Sequence, residues 1–239
     1  MIGRCLWKKI INILTILLCV CFITGCNKTS EEKNNTDALK VKEEYESLNG
    51  LENENNGKKY TEISLDDNNP FTYVTASDIV KKVNNKETFM LYLGFSECPW
   101  CRNAITVLSS AAKATGIKNI YYFRLKDENG NDIRNVLKLD ENGNVITEKE
   151  GSKEYNTLID LFSEKLDIYD GLNDPSIKRI YAPTVIFIQD GKVIGLHTST
   201  VSSQTNPYIL LNDDQVKELK NIYEDYIHKM LDDLCDEKC

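Results

Sequence analysis

The segment with the clearest chemistry is Cys98-Pro99-Trp100-Cys101. Two cysteines at this spacing can cycle between dithiol and disulfide, or supply half of a tetrahedral zinc site. What flanks them separates the two uses. Before them, Thr88 to Phe95 (TFMLYLGF) is an unbroken apolar run and reads as a buried strand. After them, Ala104 to Ala114 is rich in Ala, Leu and Val and reads as a helix closed by Gly116. Cys98 therefore falls at a helix N-terminus, where unpaired N–H groups and the positive end of the helix dipole stabilise a thiolate. Pro99 suits the first helical position because its missing N–H costs nothing there. Cys101 follows within one turn, so it can resolve a mixed disulfide formed at Cys98. Strand, CxxC and helix in this order favour a redox site over a zinc site, with Cys98 near the surface and Cys101 shielded.

The elements that must position this pair can be read along the chain. Ser77 and Asp78 precede Ile79 to Val83 as the N-terminus of a short helix. Ile120 to Leu125 (IYYFRL) reads as a second buried strand. Ala182-Pro183 leads into Thr184 to Ile188 (TVIFI), a third strand that turns at Asp190-Gly191 into Lys192 to Leu196. Proline at a strand start is unfavourable unless it serves a tight turn, and a cis-proline is one such device. Asp213 or Asp214 caps a last amphipathic helix carrying Val216, Leu219, Ile222, Tyr223, Tyr226 and Ile227. Between the second and third strands lies an excursion over about 127–176. In it Asp127-Glu128-Asn129-Gly130-Asn131 recurs as Asp140-Glu141-Asn142-Gly143-Asn144. The repeat lacks the alternating ligands and closing Glu of an EF-hand, so it reads as two glycine turns. Leu137 to Thr147 reads as a hairpin and Tyr155 to Leu166 as a helix.

This succession resembles the thioredoxin superfamily over roughly Thr61 to Leu231. Within it, YLGFSECPWCR (92–102) and YAPTVIFIQDGKVIG (181–195) are most similar to the bacteriocin transport accessory and bacteriocin-maturation disulfide isomerase group. The resemblance implies an α/β, thioredoxin-like fold: a central mixed sheet flanked by helices, with an insertion before the cis-proline strand. It implies Cys98 as nucleophile, Cys101 as resolving cysteine and Pro183 as the cis-proline. Pro99, Trp100, Ala182 and Pro183 would border the substrate, with the Ala182 backbone seating an extended segment. The sequence departs from the family pattern at Tyr92, which stands where a buried Asp usually accepts the resolving cysteine's proton. Cys98 and Pro183 are also 85 residues apart, roughly twice what a minimal member needs.

The N-terminus reads as an address. Arg4, Lys8 and Lys9 precede an apolar run from Ile10 to Ile23, too short to span a bilayer comfortably. It ends Ile23-Thr24-Gly25-Cys26, which resembles the lipobox of bacterial lipoproteins. That resemblance implies a signal peptide over 1–25 and lipidation of Cys26 as the first mature residue, on the outer face of the membrane of a Gram-positive bacterium. An uncleaved anchor helix is the alternative. The leader holds three basic and no acidic residues, so its removal takes the net charge from −8 to −11. Residues 26–59 are mostly Asn, Glu, Lys, Ser and Thr and read as a flexible tether, in which Val41 to Leu48 can form a short charged helix that nothing obliges to dock, with the domain over 60–234.

The remaining cysteines, Cys235 and Cys239, form a C-terminal pair in the tail 235–239. A local disulfide, a second redox pair exchanging with Cys98 and Cys101, and a four-cysteine zinc site joining both pairs all fit the spacing. Trp100 reads as a lid on the helix start or as substrate surface. Glu97 either tunes the site or faces solvent, and Arg102 either favours thiolates or solvates the helix. His197 and His228 have no third partner at metal or catalytic spacing and read as structural.

With 29 basic against 37 acidic residues and a pI near 5.0, the chain has no cationic surplus for nucleic acid. The composition is also not that of a polytopic membrane protein. The reading that follows is a membrane-anchored extracytoplasmic thiol–disulfide oxidoreductase. It needs no cofactor beyond its own dithiol and no metal. Its partners would be cysteine-containing exported proteins or peptides and a redox-recycling protein. The alternatives are a non-catalytic accessory or binding lipoprotein on the same scaffold, and the structural zinc site.

Overall fold

Phe89–Gly94 (β2) is the axis of the molecule, and all six of its residues are buried. The computed structural model describes residues 25–54 and 56–236, with side chains covered from 36 to 231. Strand β2 pairs in parallel with Ile120–Arg124 (β3), in the register Tyr92↔Tyr122. On its other side it pairs antiparallel with Thr184–Gln189 (β6), in the register Tyr92↔Val185. Phe71–Tyr73 (β1) adds in parallel to β3, and Lys192–Thr198 (β7) adds antiparallel to β6. The result is a mixed five-stranded sheet of order β1-β3-β2-β6-β7.

Both faces of this sheet are covered, which is why its central strands read as unbroken apolar runs rather than alternating ones. Alternate β2 side chains still go to opposite faces. Met90 and Tyr92 join a cluster built on Gly25–Glu46 (α1), Pro99–Ala114 (α3) and Asp213–Asp236 (α5), through residues such as Tyr45, Ile105, Leu108, Tyr223 and Ile227. Leu91 and Leu93 join the opposite cluster, with Ile79 of Ala76–Asn84 (α2) and Leu158 and Phe162 of Lys153–Phe162 (α4). The chain is thus α/β, a mixed sheet flanked by helices.

The excursion between β3 and β6 has its own small order. Val136–Leu139 (β4) and Val145–Lys149 (β5) form a separate two-stranded sheet, and α4 follows it. The repeated Asp-Glu-Asn-Gly-Asn segments are two copies of one turn. Asp127 Oδ1 accepts from the Asn129 and Asn131 backbone N–H groups at 2.9 and 2.8 Å, and Asp140 does the same for Asn142 and Asn144, at 2.8 Å each. Gly130 and Gly143 take φ of 80° and 81°, which only glycine adopts without cost.

Three expectations are corrected. The N-cap of α2 is Thr75, whose side chain forms a reciprocal box with Asp78, rather than Ser77 or Asp78. Helix α5 is preceded by Asn212, whose side chain accepts from the Gln215 N–H while Gln215 accepts in return; neither Asp213 nor Asp214 caps it. The largest correction concerns 26–59, read as a tether. Helix α1 buries Ala38, Val41 and Tyr45, one stripe at helical spacing, against the sheet. Average composition hides three apolar residues on one face of a polar helix. Polar contacts secure the docking: the Tyr73 N–H donates to Asp37 at 3.2 Å, and Asn69 Nδ2 to the Ala38 carbonyl at 2.8 Å.

The leader lies outside the described residues except for Gly25, as do the side chain of Cys26 and the tail 237–239. Cys235 falls in α5, but its side chain also lies outside them, so none of the three readings of the Cys235/Cys239 pair is addressed. Among the described residues no helix is long and apolar enough to cross a membrane.

Candidate active site

Strand β2 ends at Gly94, and four residues later Cys98 becomes the N-cap of α3, with Pro99 at its first helical position. In that place the Cys98 sulfur substitutes for the usual capping oxygen. It accepts from the Cys101 backbone N–H at 3.4 Å. Cys98 retains 6% of its surface and Cys101 none. On the open side the Cys98 thiol reaches the Ala182 carbonyl at 3.3 Å, and the Ala182–Pro183 peptide bond is cis. The start of β6 therefore lies directly across from the sulfur.

The two cysteines are electrostatically unlike. Burial alone would raise the pKa of Cys98. The Cys101 thiol, the N–H groups of Cys101 and Trp100, and the Arg134 guanidinium outweigh it and hold Cys98 below an ordinary thiol. Cys101 goes the other way. Burial, and a partner sulfur better able to carry charge, hold its proton well above the usual thiol range. The pair is therefore asymmetric: Cys98 gives up its proton more readily than an ordinary thiol, and Cys101 holds its own more firmly.

Arg134 is the functional residue that the sequence reading missed. It comes from the excursion, 36 positions beyond Cys98 in a stretch read as turns, and no local signal marks it. The fold brings it over the Phe95 ring, with 5.4 Å from guanidinium to centroid, and fixes it with a forked pair of bonds to Asp132. Its own pKa is raised: burial works against the charge, but Asp132 and the two cysteines outweigh it. Lys126 lies over Phe95 as well, at 5.4 Å, and binds Glu97 at 2.7 Å. Glu97 is thus engaged in an ion pair, neither free in solvent nor bonded to a sulfur. Burial resists its charge, yet Lys126 keeps its carboxyl below the usual range.

Arg102 does neither of the two jobs expected of it. It is completely buried and donates to the Thr61 carbonyl (3.0 and 2.7 Å), the Tyr45 carbonyl (2.7 Å) and Asn49 Oδ1 (2.5 Å). It fastens the N-terminal segment to the helix that carries the cysteines.

Tyr92 lies under the pair with its ring wholly buried. Its hydroxyl touches the Cys101 carbonyl at 3.5 Å and the Tyr45 hydroxyl at 3.1 Å. Gly94 makes room for this, since a Cβ there would sit 2.8 Å from the Tyr92 oxygen and 3.0 Å from the Cys101 sulfur. Trp100 is half-buried and lines a groove of about 390 Å³ with Asp167, Ile168, Asp170, Tyr181 and Ala182. His197 is bonded through Nε2 to the Thr200 carbonyl at 2.9 Å, and His228 is exposed on α5. Among the described residues no cluster of three or more His, Cys, Asp or Glu could hold a metal ion.

No protein-family model and no curated protein matches this sequence.

The arrangement can therefore support nucleophilic sulfur chemistry at Cys98, with a second thiol behind it and a backbone edge in front.

Proposed function

We propose that the chain is an extracytoplasmic, lipid-anchored thiol–disulfide oxidoreductase on a thioredoxin-like fold, acting on cysteines of exported proteins or peptides. The observation that carries this reading is the split between the two sulfurs: Cys98 is a capped, charge-stabilised nucleophile, and Cys101 is a buried thiol within its reach. The strand order β1-β3-β2-β6-β7 and the cis Ala182–Pro183 bond facing Cys98 support the thioredoxin-like assignment. The lipobox-like Ile23-Thr24-Gly25-Cys26 supports the anchor.

In the reducing direction, the Cys98 thiolate attacks a substrate disulfide. A Cys98–substrate S–S bond forms, and the other substrate sulfur leaves as a thiolate that takes a proton from solvent. Cys101 then gives up its proton and attacks Cys98, releasing the second substrate thiol and leaving the Cys98–Cys101 disulfide. Run backwards, the same steps oxidise a substrate dithiol, so the protein that recycles the pair sets the net direction.

The test is turnover of a disulfide or dithiol peptide by the full-length protein. Loss of activity in Cys98→Ala, together with accumulation of substrate mixed disulfides in Cys101→Ala, supports the reading. Equal activity in parent and Cys98→Ala overturns it. Lipid labelling that persists in Cys26→Ala would overturn the anchor separately.

A further inference from the structure

Cys26, the residue that the lipobox-like sequence marks for lipidation, is the second residue of helix α1. The same helix ends against the dithiol. Its Tyr45 carbonyl accepts from Arg102, the neighbour of Cys101, and the Tyr45 and Tyr92 hydroxyls are bonded at 3.1 Å. One helix thus runs from the anchor residue to the floor of the candidate active site.

How far the lipid can stand from the sulfurs follows from where this helix is fastened. Asp37 accepts from the Tyr73 N–H, and Lys42 donates to Asp67 at 2.7 Å. Glu44 accepts from the Tyr122 hydroxyl and from Arg124, at 3.1 Å each. Glu46 accepts from the Leu65 N–H at 2.7 Å. Just past the helix, Asn49 donates to the Ile63 carbonyl at 2.8 Å and accepts from the Ile63 N–H at 3.0 Å. With Ala38, Val41 and Tyr45 buried beneath it, this half of α1 moves with the domain. Residues 26–36 alone separate the anchor from the first fastening, and 27–35 hold no apolar residue that could extend the docking.

The lengths set the reach. At the helical rise, the chain from Cys26 to Tyr45 covers about 29 Å. Pulled out fully, the stretch from Cys26 to Asp37 would span at most about 40 Å, and the docked turns on to Tyr45 add about 12 Å. A free tether over 26–59 would instead allow on the order of 110 Å. Docking of α1 therefore confines the dithiol to a layer about 30 Å from the lipid, with an outer limit of about 50 Å.

We propose that α1 is a short stay that holds Cys98 and Cys101 in this layer, and that their exchange partner is a protein held in the same membrane with its cysteines at that height. The inference rests on the lipid-anchored oxidoreductase reading above. The exchange is the one already written: the partner's disulfide is reduced as the Cys98–Cys101 pair is oxidised, or the reverse. A partner in the same membrane meets the pair at a high effective concentration, whereas cysteines farther out than the stay allows do not meet it at all. The docking of α1 thus selects partners by height as well as by sequence.

The reach can be measured on vesicles. The lipidated full-length Cys101→Ala protein is placed in phosphatidylcholine vesicles with a disulfide-bonded cysteine peptide carried on a lipid. A helical spacer of about 20 or about 55 residues sets that disulfide about 30 or about 80 Å from the lipid. Mixed disulfides are counted on non-reducing gels, and adding Cys98→Ala gives the background from Cys235 and Cys239. The short-spacer probe should be captured faster by about tenfold or more. Inserting 40 Gly/Ser residues between Asn34 and Asn35, about 35 Å of added mean reach that touches no docked residue, should erase most of that preference. Equal capture of both probes by the parent, or an unchanged preference after the insertion, overturns the stay and leaves the anchor and oxidoreductase readings intact. A protein that fails to float with the vesicles overturns the stay together with the anchor. Failure to capture the short-spacer probe overturns the stay, and if the same peptide free in solution also escapes capture, the oxidoreductase reading falls with it.

Discussion

Arg102 Nη1 donates to the Tyr45 carbonyl at 2.7 Å, tying the residue that follows Cys101 to the helix that precedes the sheet. The same guanidinium also holds the Thr61 carbonyl and Asn49. A buried arginine that satisfies several buried acceptors cannot be replaced without stranding them. Arg102→Met, which keeps much of the volume, should therefore lower stability by about 3 kcal/mol, mainly from unpaired carbonyls. Urea unfolding measures it, and protease cleavage between α1 and β1 should accelerate in parallel. A loss below about 0.5 kcal/mol, the range of neutral surface changes, would mean the clamp contributes nothing.

Arg134 should set the reactivity of Cys98. Because the guanidinium favours the thiolate, Arg134→Leu should move the Cys98 midpoint upward, toward an ordinary thiol. The rate of iodoacetamide alkylation against pH reads this directly: in the parent the rate rises at lower pH than in the variant. The redox consequence has a fixed sign. A cation that stabilises the thiolate stabilises the reduced protein and makes the disulfide more oxidising, so the variant should have a more negative potential in glutathione titration. An unmoved midpoint would remove Arg134 from the site.

How much of this was legible in the residues follows their sequence separation. The elements carrying Cys98 and Pro183 announce themselves through unbroken apolar runs and local punctuation, so β2, α3, β3, β6 and β7 could be placed before any coordinates. Strand β1, three residues long, has too little periodicity to read. The docking of helix α1 was not legible because it depends on three apolar side chains and on Arg102, a partner 57 positions from Tyr45. Arg134 was missed for the same reason. Charges that act across a fold leave no spacing rule behind, and a tyrosine at position 92 announces only that a carboxylate is missing.

The groove beside Trp100 carries two exposed carboxylates, Asp167 and Asp170, next to exposed Ile168 and the cis-peptide. A substrate segment lying across Ala182 should therefore be favoured when basic residues flank its cysteine. Replacing both carboxylates by Asn should lower kcat/KM for a Lys-flanked cysteine peptide by about fivefold at low salt, and by less as screening grows. An acidic-flanked peptide should be unaffected or improved. Equal losses for both peptides would indicate damage to the groove rather than loss of charge selection.

Gly94 offers the sharpest steric test of the interior beneath the sulfurs. A methyl group there would meet the Tyr92 oxygen at 2.8 Å and the Cys101 sulfur at 3.0 Å, closer than carbon tolerates either. Neither neighbour is a loose chain end. Both are completely buried, and Tyr92 is bonded to Tyr45. Gly94→Ala must therefore push the hydroxyl and the sulfur apart, at a cost of about 1–3 kcal/mol for overpacking a filled core. Chemical unfolding should show that loss, and resolution by Cys101 should slow more than attack by Cys98. Stability and both rates equal to those of the parent would show that the space between Tyr92 and Cys101 is looser than these distances require.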